Sequence, residues 1–175
     1  MSTRLAALLL LASACGPVTV TTELSGDGTV NAAAMMAAPL TMLPQIASLT
    51  GLDLDTNRDL KAAGVVKASL TSMKVQQATI AITSPVNQDF SFLDTVQLVA
   101  RTGENEALVA QKKAVSSAAP KGPKPILTLD LVDVQLVEFA RASTLTVVMR
   151  GTGRQPTSDV RVHVTLKVAF EASSP

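Results

Sequence analysis

The densest run of oxygen-bearing side chains in this sequence is Asp53-Leu54-Asp55-Thr56-Asn57-Arg58-Asp59, where Asp53, Asp55, Asn57 and Asp59 stand at every second position. A hard cation such as calcium takes six to eight oxygen ligands, and calcium loops begin with this spacing. The run then departs from such a loop, because Arg58 stands where the tight-turn Gly belongs and Gly64 where the bidentate Glu belongs. The four residues are therefore calcium candidates set against a plainer reading, an acidic solvated loop in which Asp59 or Asn57 caps a short helix entering Leu60-Lys61-Ala62-Ala63. A second acidic group, Asp130, Asp133 and Glu138, could supply the paired carboxylates of glycan hydrolysis. With no Trp, no Tyr and four Phe, however, the chain offers little for a sugar to stack on. His163 is the only histidine and Cys15 the only cysteine, far apart, which excludes a Cys/His zinc site.

By alternation His163 falls on the solvated face of a strand, between Arg161 and Thr165. No Gly-x-Ser-x-Gly elbow occurs. Gly151-Thr152-Gly153 reads as a hairpin turn between two strands, not a phosphate cradle, since no helix start follows it. Lys112-Lys113 and Lys121/Lys124 read as solubilising loop lysines with a minor claim on lipid headgroups. The expectation is a protein that is not an enzyme, with no catalytic residue, no metal and no cofactor.

Composition points the same way. The chain has 175 residues, 47% hydrophobic and 17% charged, which suits one globular domain with a sizeable core. Fifteen Lys and Arg against fourteen Asp and Glu leave no basic balance for a nucleic acid, so none is expected as partner.

The opening residues read as an address. Arg4 precedes the apolar run from Leu5 to Ala12, which is about half the ~20 residues a membrane-spanning helix needs, and small residues follow. Ala12-Ser13-Ala14-Cys15 resembles the lipobox of bacterial lipoproteins, with Ala12 where that family prefers Leu. The resemblance implies removal of residues 1–14, lipidation of Cys15 by diacylglyceryl and acyl chains such as palmitate, and anchorage in the cell envelope. Gly16 in place of Asp implies the outer membrane over the inner one, with the domain on the periplasmic side. A lone cysteine in a secreted chain cannot form an internal disulfide, which agrees with lipid attachment. Cleavage after Ala14 by ordinary signal peptidase is the alternative.

The elements behind these residues are mostly strands. Residues 15–27 read as the lipidated N-terminus and a first strand, Val18 to Leu24, closed by a turn at Ser25-Gly26-Asp27-Gly28. Residues 28–52 carry no charge and read as two short helical pieces split at Pro39, with Met36, Leu40, Leu43 and Ala47 on one side. That stripe either covers an open end of the fold or, through Met36, Leu40 and Leu43, offers a surface to a partner or an apolar ligand. Residues 53–175 alternate with period two at 78–83, 96–100, 107–111, 127–131, 145–149 and 160–170. Residues 114–125 read as a Pro/Ser/Lys loop outside the core, and 134–141 as one or two helical turns. These features predict a mainly β chain, an antiparallel β-sandwich, immunoglobulin-like or similar, with one or two short helices and a single domain over 15–175. The function expected is a lipid-anchored envelope protein that binds or positions another envelope component, most readily a protein. The runner-up is a periplasmic or secreted carrier or sensor of an apolar ligand, with residues 28–52 as its lid.

Overall fold

A computed structural model describes residues 16–33, 38–40 and 43–173. Eight antiparallel strands form two four-stranded sheets: β1 (Val18–Val30), β8 (Val160–Ala172), β2 (Leu70–Ser84) and β5 (Ile126–Thr128) side by side in one, and β6 (Asp130–Leu131), β4 (Asn105–Lys113), β3 (Leu93–Thr102) and β7 (Thr146–Gly153) in the other. The antiparallel sandwich expected from the sequence is the fold. Short helices α1 (Arg58–Ala62), α2 (Val115–Ala118) and α3 (Val137–Arg141) and three single 3-10 turns lie between the strands.

Period-two patterning is clearest in β8, where Val160, Val162, Val164, Leu166, Val168 and Phe170 all face the core and are almost fully buried. In β2 the alternation seen at 78–83 continues back to Leu70, but the pairing with β8 slips between Val75 and Gln77. A bulge adds one residue and swaps the inward set, so Met73 and Ala78 both point inward from positions of opposite parity. That swap hides the first half of the strand from a period-two reading.

Three expectations are corrected. The turn at Ser25-Gly26-Asp27-Gly28 is absent, because β1 runs through to Val30 and pairs with β8 along its whole length. Gly151-Thr152-Gly153 is no hairpin turn either: it is the end of β7, paired with β3, while β8 belongs to the other sheet. Residues 114–125 do not stay outside the core, since α2 begins with Val115, which is fully buried.

The uncharged segment also differs from the two helical pieces expected. Its described part is a strap with one 3-10 turn at Ala47–Leu49, and Ile46 and Thr50 on either side of the turn are extended. Leu40, Leu43, Ile46 and Leu49 are buried at every third position, whereas Ala47 is exposed. Three-residue spacing serves an extended strap as well as a helix, and Pro39 and Pro44 decide against the helix.

The strap bridges to both ends of β7, Pro39 opposite Arg154 and Leu52 opposite Leu145. Glycines make room for it. A Cβ on Gly26 or Gly28 of β1 would strike Ser48, Ile46 or Pro44, and one on Gly151 of β7 would strike Leu43 and the Thr95 carbonyl. Counting the strap as a strand, pairing is nested: first with last, strap with β7, β2 with β5, β3 with β4. That is a hairpin rolled into two layers, the jelly-roll plan among sandwiches.

Candidate functional site

The acidic run folds into two consecutive caps. Asp53 caps the turn Leu54–Thr56 by accepting from the Asp55 N–H, and Asn57 caps α1 by accepting from the N–H groups of Asp59 and Leu60. Of the two caps expected for that helix, Asn57 is the one used. The space a cation would fill between the first two carboxylates holds the Lys67 ammonium, 2.6 Å from Asp53 Oδ1 and 3.3 Å from Asp55 Oδ2. Lys67, followed by the N–H of Asp55, holds the Asp53 carboxyl below its usual range, and Asp53 in turn raises Lys67. Asp59 points elsewhere and accepts a 2.6 Å hydrogen bond from the hydroxyl of buried Thr22. Asp53, Asp55, Asn57 and Asp59 thus hold together the chain between the strap and β2. Among the described residues no cluster of three or more His, Cys, Asp or Glu is arranged to hold a metal ion.

Asp130, Asp133 and Glu138 are not brought together as a pair of carboxylates. Each has its own cation, Lys112 at 2.9 Å, Lys74 at 2.8 Å and Arg141 at 3.4 Å respectively. The Lys74 ammonium lowers the Asp133 pKa. Lys112 and Lys113 sit in β4 and not in a loop.

His163 occupies the outer face of its sheet as expected and carries a partner the sequence reading lacked. Its Nδ1 lies 2.9 Å from Asp27 Oδ1, directly across the β1–β8 pairing. That pair exists only because β1 continues past the glycines, so a turn placed there conceals it.

Of the proposed apolar surface, Leu40 and Leu43 are 6% and 7% exposed and belong to the core cluster. Their side chains cover the side of the sandwich between β1 and β7. Met36 and Cys15 lie outside the described residues. Among the described residues no helix is long and apolar enough to cross a membrane.

The outer face of the second sheet holds a groove that the sequence reading missed. Strand pairing sets Gln111, Gln97 and Arg150 in one row across β4, β3 and β7, and Lys113, Thr95 and Thr152 in the next. These six side chains, with Lys112 and Gly151, line a concavity of about 230 Å³. Arg150 reaches over the sheet to a two-point ion pair with Glu106, at 2.6 and 2.9 Å, and holds the Glu106 carboxyl below its usual range. The outward-facing Val99 is 5% exposed although it is no part of the core cluster. The only signal for this face in the sequence is polar alternation, Thr95/Gln97, Gln111/Lys113 and Arg150/Thr152, which any solvated strand shows.

No protein-family model matches the chain, and no curated protein does. Among solved structures, the 60-mer of the BFDV capsid protein aligns over 93% of this chain and 97% of its own, at 11% identity and a TM-score of 0.38. The decameric BFDV capsid protein aligns over 89% and 99% at 10% identity and a TM-score of 0.37. Cocksfoot mottle virus aligns over 100% and 95% at 6% identity and a TM-score of 0.27. Likeness at this level carries no weight for the function of this chain.

Proposed function

We propose that this chain is a non-enzymatic, lipid-anchored protein of the bacterial cell envelope that binds or positions another envelope component. The observation that carries the reading is the residue pattern around Ala12-Ser13-Ala14-Cys15, joined to where the domain starts. β1 begins at Val18, three residues after the cysteine, at the sandwich end shared with Leu70 and Ala172. Acyl chains on Cys15 would hold that end at the membrane, each buried methylene adding about 0.8 kcal/mol, and two chains anchor stably where one does not. β1 has thirteen residues, so its far end would stand roughly 40 Å from the anchored one. The candidate acids support a structural role over a catalytic one, since each already pairs with a lysine or arginine or accepts from a hydroxyl.

The test is intact-mass analysis of membrane-extracted protein beside a Cys15→Ser variant. The expected result is residues 15–175 plus acyl groups, with both the added mass and membrane retention lost in the variant. An unmodified chain in the soluble fraction would overturn the anchor and favour the carrier. The carrier reading also finds some support, because Leu40 and Leu43, with Val30 and Pro44, floor a concavity of about 430 Å³ rimmed by Asn31, Gln45 and Gln155. A carrier would retain lipid through gentle purification, and native mass spectrometry reads that directly.

A further inference from the structure

The groove on the outer face of the second sheet is built from donors. Among the described residues the Lys113 ammonium and the amides of Gln97 and Gln111 have no protein partner, and all three line it. Thr95 and Thr152, which both line the groove, have hydroxyls 2.8 Å apart, which uses one of their two hydrogens and leaves the other for a ligand. Arg150 spends two N–H groups on Glu106 and keeps three more.

No carboxylate lines the groove. Glu106 and Asp130 stand outside it and balance Arg150 and Lys112, so the charge left over is that of Lys113. The two-point ion pair fixes one wall, the β-sheet fixes the floor, and short Thr side chains open the space that longer ones would fill. Donors grouped around a small concavity with one surplus positive charge suit a ligand with several acceptor oxygens and negative charge.

We propose that this groove binds an oxyanion, a phosphate or a carboxylate, carried by the component the protein recognises. Lys113 supplies the charge, Gln97 and Gln111 supply neutral donors, and Arg150 closes the side. The site stands on the geometry of the sheet and does not require the anchor at Cys15.

The test is NMR titration of the isotope-labelled full chain with inorganic phosphate, with glucuronate, and with sodium chloride at matched ionic strength. Saturable shifts confined to the backbone amides of Gln97, Gln111, Lys113 and Thr152 are expected, at a millimolar Kd. Lys113→Glu should weaken binding roughly tenfold while Lys113→Arg retains it, with unchanged melting temperatures showing both variants folded. Response to phosphate alone assigns a phosphate-bearing ligand, and response to glucuronate alone assigns a carboxylate-bearing one. Shifts no larger than those from chloride, or full binding by the Lys113→Glu variant, would overturn the site.

Discussion

The two long sides of the sandwich are closed in different ways. Between β5 and β6 the chain crosses from one sheet to the other at a single residue, buried Leu129, and pairs on both banks: the Leu129 N–H bonds to Ala78 O at 3.0 Å and the Val132 N–H to Val109 O at 3.0 Å. Between β1 and β7 the strap does the work, over its described residues 38–40 and 43–52. It is held by isolated bridges at its ends, by the row Leu40, Leu43, Ile46 and Leu49, and by glycines that yield space on both flanking strands. The first closure costs almost no chain and belongs to the sheets themselves. The second is an added element whose fit depends on the absence of side chains opposite it. Closing both sides also shields strand edges that would otherwise invite pairing with another chain.

This contrast can be broken most sharply at Gly153, whose φ of +155° and contact with the Phe92 carbonyl leave no room for a Cβ. Gly153→Val is expected to lose about 4 kcal/mol, from backbone strain plus overpacking, and to melt roughly 8–16 °C lower. A melting temperature within a degree or two of the parent would show that the end of β7, where the strap bridges to it, tolerates a side chain against the Phe92 carbonyl. Next come Leu49→Ala and Leu127→Ala, one on each side and both 1% exposed. Each should cost about 3 kcal/mol in denaturant unfolding, and near-equal losses would show that the strap is as much part of the cooperative core as the sheet-switching side.

Native-state hydrogen exchange separates the sides further. The Leu40 and Leu52 N–H groups, bonded to Gly153 O and Leu145 O, should exchange roughly tenfold faster than those of Leu129 and Val132, because a strap can open without unpairing the sheets. Equal protection would abolish the distinction.

The smallest effect is electrostatic. The Asp53 carboxyl is held below its usual value, first by Lys67, so its contribution is present above pH 3.8 and is lost as pH falls through its lower folded value. Lys67 is raised by Asp53, so its contribution is full below pH 10.5 and lost as pH rises beyond that. Urea midpoints should therefore be flat between these limits for this pair, and Lys67→Met should remove its share of the acid-side decline. An unchanged acid limb would assign that decline to the other lowered carboxyls, Asp89, Glu106 and Asp133.

Much of the fold was legible. The alternation in β8 and β3, the apolar run at 78–83 and the Asn57 cap all follow from side-chain period and local hydrogen bonding. The two misplaced turns share a cause. Gly26, Gly28, Gly151 and Gly153 read as turn residues because glycine permits turns, yet Gly26, Gly28 and Gly151 are there so that the strap can approach, and Gly153 lies against the Phe92 carbonyl. The acidic run reads rightly as a loop with a helix cap at Asn57, and calcium stays open beside it because a period of two cannot reveal that Lys67, eight residues after Asp59, provides the cation. Nor could the groove be foreseen, since its six side chains come from three strands and meet only by register.

What the sequence by itself determined is the fold class of this protein, strands with one apolar face each, and the local cap at Asn57. Those properties are local, because burial period, caps and short motifs depend on residues within a few positions of one another. Tertiary structure alone decided the nested pairing, the strap laid over glycines, the Asp27–His163 pair and the donor-lined groove. Each of these depends on which strands lie side by side and in what register, and a one-residue slip in register would turn every one of those side chains to the other face.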